Sequence, residues 1–323
     1  RDVVSVKDFG AVGDGVTDDT AAIQAAIGYA QDSGQTLRIN RGTYKITDSL
    51  LVTKNIHLCG DGIGRTVLNL VTATQKPAIK VYTTVALANT IIGGGISDIS
   101  INCGNTGDGI LVSALYPYPI TRAVYQNINI RDTKIGVKAI SDTANIVYMN
   151  TFRNILVNGN TYEYGVFTSG ACYNLWQNIE TSDVRNGAYG FKMTEAGSVL
   201  QNLTGDGVCD FDLPYGTCSN IVIETVAATT PPVPNAMRFI RVSRASNLTL
   251  LDVDNAKCSY GIVLGNSRIW VDNVTIFNPT TTPPTYQLST SGGNGVISNF
   301  EASGGYDVEQ YEPDITQRYV LVN

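Results

Sequence analysis

Four carboxylates in the middle of the chain, Glu180, Asp183, Asp206 and Glu224, could do acid–base work if the fold brought them together. Carboxyls held close without a counter-charge cannot all ionise cheaply. One keeps its proton and can serve as a general acid, while a neighbour acts as base or nucleophile. Arg131 and Arg185 are cations that could orient an acidic group. Tyr173, Trp176 and Tyr189, with Tyr162 and Tyr164, offer flat faces and hydrogen-bonding tips over the same stretch. The same residues would also suit a plainer role, as solvated strand edges and packing aromatics. Glu163, Glu195, Asp210, Asp212, Asp252 and Asp254 are alternative acids, and a site shared between subunits is a further alternative.

A second acidic group opens the chain. In "DFGAVGDGVTDDTAAIQAAI", Asp14 lies between glycines, and Asp18 and Asp19 precede an alanine-rich run. A metal loop is one reading. The better one is a turn that starts a helix over Thr20–Ala30, because Ile23 and Ile27 are four apart with Ala22, Ala26 and Ala30 beside them. Thr17 or Asp18 would be its N-cap, and Asp19 would sit at the positive helix end.

Composition narrows the partners. The 323 residues carry a net charge of −6 and show no Lys/Arg cluster, which argues against nucleic acid. No apolar run is long enough to span a bilayer, so no membrane insertion is expected. The single histidine, His57, weakens His-rich metal sites and Ser-His-Asp catalysis; no cofactor and no metal are expected. Six cysteines without a CxxC pair read as buried reduced thiols, although Cys209 and Cys218 are close enough to bridge locally. Because the chain begins at Arg1 rather than Met, it is expected to be a fragment of something longer.

The elements that would position these groups follow from a repeat. Asn or Asp followed by apolar alternation recurs at Asp98, Asn127, Asn154, Asn178, Asn202, Asn220, Asn247, Asn273 and Asn299, with steps of 29, 27, 24, 24, 18, 27, 26 and 26 residues. A second strand follows most copies, usually introduced by glycine, as at Gly109, Gly136, Gly165, Gly190 and Gly261. Repeats of this length without helices stack as a parallel β-helix, a solenoid with one core along its axis. The expected fold class is therefore all-β, a parallel β-helix closed by a short N-terminal capping helix. It should be one domain, with residues 1–65 as cap and first coils and 66–323 as their continuation.

With the repeat Asn as position zero, positions one and three point inward and positions two and four outward. Glu180 falls at position two, and Asp206 and Glu224 at position four, on three successive coils. A coil spacing of about 4.8 Å would put neighbouring carboxyls about 5 Å apart and next-but-one about 10 Å, bracketing the two geometries of glycoside hydrolysis. "CDFDLPYGTC", where the step shrinks to 18, reads either as a loop shaping a groove or as an irregular corner. "TTPPVP" and "TTTPPT" read as extended corners, and "QRYVLVN" as a last or interface strand.

"VKDFGAVGDGVTDDTAAIQAAI", "INRGTYKI" and "IHLCGDG" resemble the N-terminal signature of the pectate-lyase-like single-stranded right-handed β-helix superfamily. "RDVVSVKDFGAVGDGVTDDTAAIQAAI" is similar, more narrowly, to the start of the β-helix in bacteriophage tailspike depolymerases. The resemblance covers about the first 65 residues; beyond them only the coil repeat supports it. It implies a right-handed β-helix assembled as a homotrimer on a virion tail, joined to other tail proteins through a missing N-terminal part. It also implies binding, and usually cleavage, of a bacterial capsule or lipopolysaccharide chain outside the host cell. In such proteins the signature is structural, and catalytic residues vary in position, so none can be transferred. A polysaccharide lyase and a non-catalytic glycan-binding spike are the alternatives to an endo-glycosidase.

Overall fold

A computed structural model describes residues 2–84, 87, 89–142, 146–185, 188–225, 233–251, 258–277, 286–302, 308–311 and 319–322. Every named strand pairing is parallel, and the strands stack as a β-solenoid of about nine turns with one α-helix near the N-terminus. Asp252 and Asp254, most of the two proline-rich corners and the side chain of Glu224 lie outside the described residues.

All nine repeat residues, from Asp98 to Asn299, adopt left-handed backbone with φ between 51° and 60°. Asn and Asp tolerate this region better than other residues with a Cβ. Their side chains form a ladder up the solenoid. Asn127 Nδ2 donates to Asp98 Oδ1 at 2.9 Å, Asn178 to Asn154 at 2.9 Å, Asn202 to Asn178 at 2.8 Å and Asn220 to Asn202 at 2.7 Å. The repeat asparagine is thus a backbone bend tied to its neighbours above and below.

Beside this bend the inward residues build the core. Tyr125, Phe152 and Trp176 stack in register, with centroids 4.7 and 3.9 Å apart and rings within 8° of parallel. Phe191, Phe211 and Phe239 form a second interior column. The glycines that open the second strand have a packing reason. A Cβ on Gly109, Gly136 or Gly165 would meet the carbonyl of the next glycine at 2.4–2.6 Å, and one on Gly190 would meet the Asp206 carbonyl at 2.2 Å.

The helix α1 (Thr20–Ser33) buries Ile23, Ala26, Ile27 and Ala30 and runs one turn longer than the periodicity suggested. Asp19, rather than Thr17 or Asp18, occupies its N-cap, yet makes no side-chain cap bond. Its buried carboxylate instead accepts the Val12 and Gly13 N–H groups at 2.6 and 2.9 Å, pinning the glycine turn. Asp14 accepts from Val16 and Thr17, and Asp18 from Thr20 and Thr47. The three opening carboxylates are each spent on a separate turn. Gln24 bonds both backbone groups of Leu51, docking α1 on the first coils.

Cys103, Cys209 and Cys218 are free and buried, Cys172 is buried, and Cys59 is free and half-buried. Burial pushes the Cys103 and Cys172 thiols up to about 12 and about 11 and raises Cys209 and Cys218 as well, so none is a ready nucleophile. His57 Nε2 lies 3.3 Å from Ser97 Oγ, a local pairing between adjacent coils.

Candidate functional site

The strand Leu175–Thr181 carries Glu180 on its exposed face. In register, Glu180 stacks between Leu156 below and Thr204 above, and Val222 follows Thr204. Asp206 ends the strand Val199–Asp206, two residues further along and one coil higher. The carboxylates therefore do not form a column. Strand rise and coil spacing put the Glu180 and Asp206 backbones about 8 Å apart on a diagonal. Glu224 is not the lateral partner of Asp206 either. A register shift pairs Asp206 with Thr225.

The change in coil length sits beside these acids. Seven residues separate Thr181 from Tyr189, where the strand Tyr189–Ala196 begins, and the corner that opens this interval carries Asp183 and Arg185. One coil higher the chain passes from Asp206 to Val208 through Gly207 alone, with φ of 81°. Most of the 18-residue step arises there, rather than in the Cys209–Cys218 segment. That segment is a strand, Val208–Asp212, and a compact corner whose Leu213 is buried. The corner bearing Asp183 and Arg185 consequently stands as a ledge next to a coil that has no equivalent corner.

Hydrogen bonds hold the ledge in place. Asp183 has φ of 57°, and its N–H donates to Asp206 Oδ2 at 3.0 Å. The Arg185 N–H donates to the Thr161 carbonyl at 2.9 Å. The Arg185 guanidinium donates to Asn160 Oδ1 at 2.6 Å and lies 4.5 Å from the Tyr162 ring centroid. Asn160 in turn donates to Asp132. Asp183, Arg185, Asp206 and Tyr162 thus gather at one corner, with Glu180 on the adjoining strand face. Arg131 occupies the row of Asp206, separated from it by the coils of Asn158 and Ser182.

Two expected ligand contacts are displaced. Trp176 is fully buried in the aromatic stack and cannot touch a substrate. Its indole N–H donates to Glu195 Oε1 at 3.0 Å. Periodicity alone could have shown this, because Trp176 shares the inward register of Tyr125 and Phe152. Tyr173 is exposed, but it precedes the strand whose far end leads to Asp183.

The other acids are accounted for individually. Glu195 is buried and accepts from Trp176, Asn174 and Ser198; burial pushes its carboxyl above the ordinary range. Asp210 and Asp212 receive bidentate pairs from Arg238 and Arg241. Glu163 faces Lys134 at 3.8 Å.

Residues that sequence inspection passed over lie on the second sheet, the face built by the second strands of successive coils. Lys80, Leu111, Lys138, Phe167, Lys192, Asp210 and Arg238 are successive partners up one row. Tyr164 and Tyr189 are in-register partners beside it, with ring centroids 5.6 Å apart. The lysines lie too far apart in the chain to read as a cluster; only coil arithmetic applied to the second strand could have found them.

A family model described as rhamnogalacturonase A/epimerase, pectate lyase-like matches residues 3–211. Mannuronan C5-epimerase AlgE2 of Azotobacter vinelandii is 47% identical over 75 residues, 21% of this chain and 8% of its own length. Alginate lyase 7 of the same organism is 44% identical over 75 residues, 21% of this chain and 9% of its own length. The matched segments thus span under a tenth of these relatives. Among solved structures, the Acinetobacter phage vb_AbaP_AS12 gp42 tailspike aligns with 99% of this chain and 61% of its own, with TM-score 0.70 at 13% identity. The A-module of Azotobacter vinelandii AlgE6 covers 99% of both chains, with TM-score 0.57 at 18% identity. At these identities the likeness is one of fold.

Proposed function

Because the chain belongs to the rhamnogalacturonase A/epimerase, pectate-lyase-like family, we propose that it is a polysaccharide-acting enzyme of a phage tailspike, cleaving bacterial capsule or O-antigen within the chain. The observation that carries the site assignment is the ledge at the Asp183 corner. It brings Asp183, Asp206, Arg185 and Tyr162 together where the coil shortens. The names of the sequence relatives and the tailspike among the fold neighbours support the substrate class and the setting.

In this reading Glu180 and Asp206 are the working pair. Their backbones lie about 8 Å apart on the diagonal, a placement from which the two carboxyls can flank a water, as the inverting geometry requires. Asp206, oriented by the Asp183 N–H, activates that water. Glu180, on the open strand face, protonates the leaving oxygen. Arg185 over Tyr162 borders the sugar, and Arg131 extends the row for a longer chain.

The test uses capsule and O-antigen preparations from several strains, with product size, reducing ends and anomeric configuration read out. Saturated reducing ends with inverted configuration are expected. Glu180→Gln and Asp206→Asn should each lower the rate by roughly 10²–10⁴-fold. Ultraviolet-absorbing unsaturated ends would instead establish a lyase, and binding without chain shortening a non-catalytic spike.

A homotrimer on the virion tail belongs to the same proposal. Exposed apolar side chains support it, with Tyr173 at 61%, Tyr215 at 86% and Trp270 at 56% exposure. Tyr173 and Tyr215 both occupy left-handed corners between the second strand of one coil and the first strand of the next.

A further inference from the structure

We propose that the second-sheet row is a binding track for a polysaccharide bearing sugar carboxylates. The chain would lie along the solenoid axis, with one acidic sugar for every two coils. This inference rests on the reading that the protein handles a polysaccharide, and it adds the charge and spacing of that polymer.

Lys80, Lys138 and Lys192 stand in one register row, and the coils between them contribute Leu111 and Phe167. Alternate coils place the backbones of neighbouring lysines in the row about 10 Å apart. That is on the order of a Debye length in physiological salt, so the row tolerates its own repulsion. None of the three lysines forms an ion pair among the described residues. Asp210, the row neighbour of Lys192, is taken by Arg238, whose Nε donates to it at 2.9 Å. Asp108, which feels the charge of Lys138 without pairing with it, is buried and accepts from Gln75. A chain of net charge −6 has acids enough to pair its lysines. Here it leaves three of them aligned and unpaired, a local positive line on an acidic molecule.

The ring faces show what kind of anion fits. Lys80 Nζ lies 4.5 Å from the Tyr82 centroid, and Lys138 Nζ lies 5.6 Å from that of Phe167. Lys192 Nζ lies 4.9 Å from Tyr189 and 5.8 Å from Tyr164. Each cation therefore has an apolar platform within one side-chain length. A group that meets both must carry its charge on the ring it stacks, as a uronic acid does. A phosphodiester carries its charge between rings and fits this pairing less well.

The experiment prints acidic and neutral bacterial polysaccharides on an array, with each acidic one printed again after carboxyl reduction. The intact protein is expected to bind acidic polymers and to lose at least tenfold in affinity when their carboxyls are reduced. Lys138→Gln and Lys192→Gln should each weaken binding roughly three- to tenfold. Lys76→Gln, which breaks the surface pair with Asp48, should change nothing. Binding that survives carboxyl reduction, on a neutral or a phosphate-bearing polymer, with no response to the lysine substitutions would overturn the track. If that polymer is still shortened, the polysaccharide-acting reading stands. No binding to any polymer would overturn both.

Discussion

At the scale of single residues, the acids of this chain divide by what surrounds them. Asp19 serves two backbone N–H groups, Asp210 serves an arginine, and Glu195 is enclosed with three donors. The acids around the Asp183 ledge combine exposure with proximity. Glu195 makes a testable contribution to stability. Burial raises its folded-state pKa above that of an exposed glutamate, so between the two values the folded state binds a proton that the unfolded state has released. Its contribution is thus most favourable at acid pH and declines as pH rises through that window. Thermal melts of Glu195→Gln across pH 4 to 8 should show a shallower decline than wild type. A parallel pH dependence in both proteins would contradict the assignment.

At the scale of elements, the coil is the unit, and the left-handed asparagine is its hinge. Asn178 holds φ of 54°, donates to Asn154 and accepts from Asn202. Replacing it with alanine adds backbone strain and removes both rungs, at a cost of about 1–3 kcal/mol. Asn178→Gly should lose the rungs without the strain and melt between Asn178→Ala and wild type. A glycine variant no more stable than the alanine one would mean that the ladder, rather than the bend, sets the preference. The element scale also explains the site. The ledge exists because seven residues separate Thr181 from Tyr189 where Gly207 alone separates Asp206 from Val208.

At the scale of the whole molecule, a parallel β-helix offers long rows of side chains repeating at about 4.8 Å, well matched to an extended polymer. The same regularity leaves apolar side chains on the rod surface. Exposed Tyr215 and Trp270 are costly in a monomer unless something covers them. Sedimentation equilibrium should give three times the mass of the chain, and Tyr215→Ser combined with Trp270→Ser should shift the population toward monomer. A monomeric wild-type protein at micromolar concentration would count against assembly through this edge.

Much of this architecture was legible before any coordinates. The Asn repeat, the glycine before the second strand and the amphipathic segment after Asp19 are local patterns, and each reflects a local cause: a left-handed bend, a close backbone approach or a helical apolar face. Positions one and three are core because alternation survives the bend. Three-dimensional stacking decided the rest. Glu180 and Asp206 are diagonal because they differ by two strand positions, and Trp176 is core because its row is interior. The coil contracts at Gly207 because corner lengths are not marked in the residues themselves. The lysine row emerges only when residues 58 and 54 positions apart are laid on alternate coils. Sequence by itself determined the repeating unit, since each bend and strand is encoded within a few residues. Tertiary structure decided which side chains meet, since that depends on the summed lengths of every corner between them.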